Sequence, residues 1–165
     1  MLFKPKFYKR RITDITPAFL KKNNIKAVIL DVDNTLATNK GKILLGNVPS
    51  WLELMEKEGI KLIILSNAMV ERMSGFANRV GLPFVGLGLK PLPFGYFRAA
   101  KRVGVKIKEC AIIGDQLFTD ILGGNLAGCK TILVSPVELE QTKLFNIKRG
   151  LERKLLKKYK LPCEF

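Results

Sequence analysis

Histidine is absent from this 165-residue chain, and its absence limits the available chemistry. It excludes Ser-His-Asp and Cys-His hydrolases, H-E-x-x-H metalloproteases and a histidine general base. Cysteine is scarce too: Cys110, Cys129 and Cys163 are scattered, odd in number and form no C-x-x-C pair. This pattern indicates reduced thiols, with neither a zinc site nor a disulfide framework. Acid–base chemistry therefore falls mainly to carboxylates, ahead of Lys, Tyr or Cys.

Long apolar runs are also lacking. None approaches the ~20 residues that a membrane-spanning helix needs. No apolar signal segment follows the basic start of the chain, so secretion is not expected. The length and the 47% hydrophobic content fit one globular domain with a single core. We expect a cytoplasmic domain that covers residues 1–165.

Acidic residues are few: 14 Asp and Glu stand against 29 Lys and Arg, which gives a net charge of +15. Most of the excess lies in a basic N-terminal segment, 1–24, and a basic C-terminal segment, 141–165, while the middle is nearly balanced. Such termini suit an anionic membrane, a nucleic acid or a phosphorylated substrate.

Short apolar runs that lack polar alternation recur along the chain and predict strands covered on both faces. They span residues 26–30, 61–65, 83–85, 110–113 and 131–134. Amphipathic segments between them predict helices over 49–58, 69–80 and 94–103, each followed by a glycine typical of a helix C-terminus. The alternation predicts an α/β fold with a doubly wound parallel sheet. Residues 86–93 are predicted to form a loop.

Polar side chains follow the first four predicted strands, where ligands bind in sheets of this kind. Each of them alone fits an ordinary turn or a solvated side chain. Together they are suited to bind a metal ion and a phosphate group, because carboxylates coordinate Mg²⁺ while a hydroxyl and an ammonium neutralise phosphate oxygens. Their order at successive strand ends favours a phosphoryl-transfer site. The residues are Asp31, Asp33, Ser66, Asn67, Lys90, Asp115 and Asp120.

These residues resemble the four motifs of the haloacid dehalogenase (HAD) superfamily: "DVDNT" at 31–35, Ser66, Lys90 and "GDQLFTD" at 114–120. The chain is more closely similar to the YqeG-type branch of the subclass IIIA phosphatases, which is related to phosphatidylglycerophosphate phosphatases. That likeness rests on "DITPAFL", "DNTL", "KP" and "GDQLFTDILGGNLAG". One departure is "ATNKGKILLG" after "DNTL", where the family has an aromatic-containing segment.

The resemblance implies a role for each motif residue. Asp31 is implied as the nucleophile that forms an aspartyl-phosphate, and Asp33 as the general acid and base. Ser66 is expected to hydrogen-bond a phosphoryl oxygen, and Lys90 to balance charge on nucleophile and phosphate.

The same resemblance implies one Mg²⁺. Its expected ligands are the side chains of Asp31 and Asp115 and the backbone carbonyl of Asp33, with Asp120 acting through water or as the partner of a ligand. Thr35 and Asn67 are expected to support the loop backbones, with direct contact as the alternative.

The motifs follow one another too closely for a cap domain, so a capless HAD-like core with an open site is expected. The implied function is that of a bacterial Mg²⁺-dependent phosphomonoesterase with phosphatidylglycerophosphate as its leading substrate. The alternatives are a phosphatase of nucleotides or nucleic-acid ends, and a nucleic-acid or ribosome-associated binding protein with a secondary phosphatase site. Peripheral contact with the inner face of an anionic membrane is expected ahead of contact with nucleic acid.

The C-terminal segment predicts a basic amphipathic helix. Its apolar positions follow helical spacing, and we expect most of its cations on the opposite face. Three interpretations stay open: a helix packed on the domain with a solvated basic face, an interfacial helix on anionic lipid, and a nucleic-acid contact. The apolar positions are Leu144, Ile147, Leu151, Leu155 and Tyr159, and the opposing cations are Arg149, Arg153, Lys157 and Lys160.

Overall fold

The computed structural model describes residues 1–38, 41–138 and 142–163. Its centre is a six-stranded sheet in which every paired strand is parallel, with the order β1-β8-β7-β2-β5-β6. A separate two-stranded hairpin, β3–β4, follows β2. The strands are β1 (Phe7–Lys9), β2 (Ala27–Leu30), β3 (Ala37–Thr38), β4 (Ile43–Leu44), β5 (Lys61–Leu65), β6 (Phe84–Val85), β7 (Cys110–Gly114) and β8 (Lys130–Val134).

Helices lie on both faces of the sheet. They are α1 (Pro17–Lys22), α2 (Val48–Lys57), α3 (Val70–Val80), α4 (Phe94–Val103), α5 (Leu122–Ala127) and α6 (Lys143–Lys158), with short helical turns at Ile12–Asp14, Ile107–Glu109 and Leu117–Ile121. Pro17 begins α1 beside the Thr16 side chain, which accepts a hydrogen bond from the Phe19 amide at 3.1 Å. The predicted α/β fold with a doubly wound parallel sheet is confirmed.

Alternate residues of the central strands face opposite sides of the sheet, as a pleated strand requires. Val28 and Leu30 of β2 pack with α2 and α3, whereas Ala27 and Ile29 pack with α4 and α5. Since both faces are covered, β2 and β7 are apolar and buried along their whole length. The five strands and the three helices predicted from the sequence all form within one residue of the predicted bounds.

β1 was not among the predicted strands, because the sequence assigned it to the basic N-terminal segment. It pairs in parallel with β8, from Phe7 opposite Ile132 to Lys9 opposite Val134. Three half-buried residues, one of them lysine, carry too little apolar signal to be recognised as a strand.

The C-terminal segment forms the predicted helix, but its first two turns do not follow the interpretation of a helix packed through its apolar side, and Arg149, expected on the basic face, is buried. α6 buries Arg149 and Glu152 together with Leu156. Leu144 and Ile147 remain 79% and 64% exposed. The charged pair lies inside because Arg149 contacts the predicted metal ligand Asp115 and Glu152 accepts from the Leu117 amide.

Within the described residues, no helix combines the length and the apolar character that crossing a membrane requires.

Candidate active site

A cleft of about 230 Å³ opens at the carboxyl ends of β2 and β5. The structure brings five of the predicted site residues together in its lining: Asp31, Asp33, Ser66, Asn67 and Lys90. The other predicted acids, Asp115 and Asp120, are buried next to Asp31, and one oxygen of each of these three carboxylates lies within 4.8 Å of the others. Thr35 is buried in the turn after β2. Arg72, Gln116 and Thr119 complete much of the lining.

Asp31 is placed by the strand that precedes it. Its amide continues the parallel ladder by donating to the Ile113 carbonyl at 3.0 Å. The chain then turns sharply, with the carbonyl of Val32 accepting from the amides of Thr35, Leu36 and Ala37 at 3.0 to 3.2 Å. The turn thereby fixes Asp31 at the mouth of the cleft. Within this turn, the hydroxyl oxygen of Thr35 is buried and has no hydrogen-bond partner in the described part of the chain.

Ser66 directly follows β5, and its amide donates to the Val85 carbonyl of β6 at 3.1 Å. Its hydroxyl oxygen accepts from the Ala68 amide at 3.0 Å, an arrangement that orients the side chain while leaving the hydroxyl proton available. Asn67 exchanges two hydrogen bonds with the backbone of Lys90, at 2.7 and 3.0 Å. The loop that carries Lys90 is thereby tied to the end of β5.

Lys90 bridges two carboxylates. Its Nζ donates to Oδ1 of Asp31 at 2.6 Å and to Oδ1 of Asp120 at 2.7 Å. Burial alone lowers the pKa of this ammonium, but the charges of Asp120 and Asp31 outweigh burial and raise its pKa above the ordinary value. The lysine is therefore a permanent cation at the base of the cleft.

The carboxylates repel one another and are poorly solvated. Burial, followed by the charge of Asp120, raises the pKa of Asp31 well above its usual range, and Lys90 offsets only part of this effect. Burial raises the pKa of Asp115 to about 7, in spite of the Arg149 guanidinium beside it. Both groups are held in a site that favours a further positive charge.

Arg149 and Glu152 of α6 complete the buried network, and the sequence analysis missed both roles. Arg149 donates to the Asp115 carboxylate, to the Asp115 carbonyl at 2.8 Å and to Glu152 Oε2 at 2.7 Å. The other oxygen of Glu152 accepts from the Leu117 amide at 2.9 Å. The signals available in the sequence were the i,i+3 spacing of the pair and the fact that Glu152 is the one acid in α6.

Asp33 lies outside the three-carboxylate cluster. Both of its carboxylate oxygens accept from Arg72 Nη2 of α3, at 2.6 and 2.8 Å. Its side chain lines the cleft beside this guanidinium, an interaction that no sequence motif indicated. The expected contact between the Asp33 carbonyl and a metal stays a prediction.

The buried network fits a divalent cation in charge and in donor chemistry. When ionised, the carboxylates of Asp31, Asp115, Asp120 and Glu152 outnumber the cations of Lys90 and Arg149 by two charges. Oδ1 of Asp115 is buried and has no hydrogen-bond partner among the described residues, so one ligand atom is available. An all-oxygen donor set suits a hard cation such as Mg²⁺. Asp120 belongs to this donor set as closely as Asp31 and Asp115 do.

Gly114 allows the cluster to be this tight. A Cβ added at this position would overlap the Asp120 carboxylate, so no residue with a side chain fits at the end of β7 without moving Asp120.

Comparisons with known proteins find related sequences. Two family profiles match the chain: one described as HAD-hydrolase-like over residues 89–142, and one described as mitochondrial PGP phosphatase over residues 1–75. A protein of Bacillus subtilis named probable phosphatase YqeG is 38% identical over 154 residues, which cover 93% of this chain and 90% of the relative. The mitochondrial phosphatidylglycerophosphatase GEP4 of Saccharomyces cerevisiae is 30% identical over 146 residues, which cover 75% of this chain and 78% of the relative.

The fold is also found among solved structures. A HAD-superfamily hydrolase of Ehrlichia chaffeensis is similar with a TM-score of 0.51 and 23% identity, and the match covers 67% of this chain and 60% of that one.

Proposed function

Because the chain belongs to the YqeG-type branch of the HAD superfamily of phosphatases, we propose that it hydrolyses phosphomonoesters with Mg²⁺ through an aspartyl-phosphate, with phosphatidylglycerophosphate as its leading substrate. The observation that carries this proposal is the cleft in which Asp31, held by Lys90, faces Ser66 and Asp33 beside two further buried carboxylates.

In the first step an oxygen of the Asp31 carboxylate attacks phosphorus, and the bond from phosphorus to the alcohol oxygen breaks. Asp33, oriented by Arg72, gives a proton to the departing alcohol oxygen. In the second step Asp33 takes a proton from a water molecule that attacks the phosphoryl group, and Asp31 is regenerated with release of inorganic phosphate.

Two side chains stabilise the charge on the transferring phosphoryl group. Ser66 donates its hydroxyl proton to one oxygen, since its own oxygen is already engaged with the Ala68 amide. Lys90 supplies a fixed positive charge next to Asp31. Preorganised donors of this kind typically contribute ~3 kcal/mol each to transition-state stabilisation.

Mg²⁺ fits the site through the carboxylates of Asp31, Asp115 and Asp120. When bound, it supplies positive charge that reduces the repulsion between the Asp31 carboxylate and the phosphate dianion. Lys90 holds Asp31 and Asp120 in place through ion pairs, and Arg149 holds Asp115.

Two observations support a lipid-borne phosphate as the substrate. The GEP4 relative is named a phosphatidylglycerophosphatase. Exposed apolar residues are chain neighbours of residues that line the polar cleft: Met69 follows Ala68, and Leu89 precedes Lys90. A substrate with a phosphate group and an apolar body matches a polar cleft with such neighbours.

The proposal is tested by a phosphatase screen with Mg²⁺ that compares phosphatidylglycerophosphate in detergent micelles with soluble nucleotides and sugar phosphates. We expect the lipid to give the highest kcat/KM. A nucleotide ranked above the lipid would overturn the substrate assignment in favour of the nucleotide alternative.

Asp31→Asn is expected to abolish turnover of every ester in this screen, because an amide is not a nucleophile toward phosphorus. Its circular dichroism spectrum should match that of the unmodified protein. Glu56→Gln, at an exposed position of α2, serves as the matched control and should retain full activity. Turnover by Asp31→Asn equal to that of the control would rule out the covalent route.

A further inference from the structure

We propose that the outer face of α6, formed by Leu144, Ile147 and Leu151 together with Phe118, docks the protein onto an anionic phospholipid surface. The inference rests on the proposed function in one respect: such a surface is where a lipid-borne phosphate would be presented. The docking itself is a property of this face and does not require catalysis.

The outer face of α6 is apolar and open to solvent. Leu144, Ile147 and Leu151 lie on the same side of consecutive turns and are 79%, 64% and 50% exposed. With Phe118 they line a groove of about 540 Å³. A contiguous apolar surface of this kind marks an interaction site.

The exposure of this face is built into the fold. The opposite side of α6 is held inside by Arg149, which contacts Asp115, and by Glu152, which accepts from the Leu117 amide. Turning the leucines inward would leave the charges of Arg149, Glu152 and Asp115 unpaired, and separating buried charges is strongly unfavourable. The helix therefore presents its apolar side outward.

The charge around the outer face favours an anionic partner. Glu152 is the one acid in α6, and it is buried against Arg149. Lys154 and Lys158 extend the line of Leu144, Ile147 and Leu151 along the helix, and both are exposed. An interfacial helix combines these properties, inserting its apolar side chains while its lysines reach the headgroups.

The same charge pattern distinguishes three possible binding partners of this face: a second copy of the chain, a nucleic acid and an anionic bilayer. Pairing α6 with α6 of a second copy would bring two cationic helices together, and Glu152, the one acid within α6, is buried and cannot offset their charge, which disfavours a dimer through this face. A nucleic acid would use the lysines but leave the leucines in water. An anionic bilayer uses both.

The start of the chain extends the same surface. The Phe3 ring packs against the Phe118 ring, with centroids 5.4 Å apart, and Met1 and Leu2 next to it are exposed. The Asn125 amide holds this segment by donating to the carbonyls of Leu2 and Lys4. Part of each basic terminal segment thus adjoins Phe118.

The docking face and the catalytic cleft share one short segment. Gln116 and Thr119 line the cleft, whereas Phe118 between them lines the groove of the outer face. Lys148 of α6 donates to the Gln116 side chain, so the helix is joined to the rim of the cleft. A docked protein therefore holds its cleft close to the lipid headgroups.

The test is co-sedimentation of the full chain with vesicles of phosphatidylcholine alone, or of equal parts of phosphatidylcholine and phosphatidylglycerol. We expect binding to the anionic vesicles, and a loss of at least about tenfold in affinity for Leu144→Ser/Ile147→Ser, since two inserted side chains are removed. The matched control is Ile43→Ser/Leu54→Ser, which changes two exposed aliphatic residues outside α6 and should bind as the unmodified protein does.

Hydrolysis of p-nitrophenyl phosphate in solution, measured on the same variants, separates the two proposals. Equal turnover by all three proteins with selective loss of vesicle binding supports the docking face. Vesicle binding without hydrolysis of any ester would defeat the proposed function and leave the docking intact. Unchanged binding by Leu144→Ser/Ile147→Ser would overturn the docking proposal, as would an α6-dependent dimer or RNA complex without vesicle binding.

Discussion

Lys90 is the side chain on which the electrostatic balance of the site depends most directly. It is the ion-pair partner of Asp31 and of Asp120, and all three groups are buried. Its loop is tied down by Asn67, and the neighbouring Leu89 adopts a left-handed backbone conformation with φ 53°. A non-glycine residue in that region costs about 1 kcal/mol or more, a cost that surrounding contacts must offset.

We therefore expect Lys90→Met to lose at least about 100-fold in kcat/KM for any phosphomonoester and about 3 kcal/mol in the free energy of unfolding. The physical reason is that two buried carboxylates remain without their counter-charge. Steady-state kinetics and urea unfolding measure the two effects.

The matched control for that variant is Lys57→Met, at an exposed position near the end of α2. It removes the same charge without touching a carboxylate of the site. Full activity in Lys90→Met would contradict the role given to the lysine.

At the scale of the element, α6 contributes two buried side chains to the candidate active site. Its Arg149 neutralises the Asp115 carboxylate, while its Glu152 accepts from the first amides of the helical turn Leu117–Ile121. The helix thereby positions a predicted metal ligand and the segment that carries Asp120.

Arg149→Met is expected to destabilise the protein by about 3 kcal/mol, since it leaves Asp115 and Glu152 buried without their partner. Because a divalent cation can supply part of the missing charge, saturating Mg²⁺ should raise the melting temperature of this variant more than that of the unmodified protein. Differential scanning fluorimetry with and without Mg²⁺ measures both shifts.

The control is Arg153→Met, one turn further along α6 at an exposed position. It should melt and respond to Mg²⁺ like the unmodified protein. Equal behaviour of the two variants would show that the buried pair does not hold Asp115.

Some elements of the fold could be predicted from the sequence and others could not. The five predicted strands, β2, β5, β6, β7 and β8, could be found because strands covered on both faces have uninterrupted apolar runs. The acids and the lysine were found from their position directly after such runs. β1 and the hairpin β3–β4 were not predicted, because none of these short strands forms a run of buried apolar residues. Residues 39 and 40, within the departure from the family pattern, lie outside the described residues.

Which face of α6 packs against the core could not be predicted from its apolar pattern. An amphipathic pattern shows which side chains share a face, but not whether that face turns toward the core. Here the choice depends on Asp115, which lies 34 residues before Arg149 in the chain. The ion pair between Arg72 and Asp33 could not be predicted for a similar reason, since the two residues lie 39 positions apart in the chain. Such contacts depend on tertiary structure and have no local sequence signal.

At the scale of the whole molecule, a strongly basic protein holds a buried acidic site. The net charge is +15, yet the carboxylates around Asp31 outnumber the cations that contact them. Binding of a divalent cation to the folded state alone should therefore stabilise the entire domain.

Removal of Mg²⁺ with EDTA is expected to lower the melting temperature by about 6–12 °C relative to the protein at saturating Mg²⁺, as about 3 kcal/mol of linkage energy implies for a domain of this size. Asp115→Asn should lose most of this response, because it removes a charged ligand. A melting temperature that does not change with Mg²⁺ would contradict the assignment of the carboxylate cluster as a metal site.

The two edges of the sheet have a consequence for handling the protein. β1 contributes three residues to one edge and β6 only two to the other. Lys9 lies within the first, and Pro83 directly precedes the second. Edge strands this short offer few free backbone groups with which a strand of another molecule could pair. The protein is therefore protected against edge-to-edge aggregation in concentrated solution.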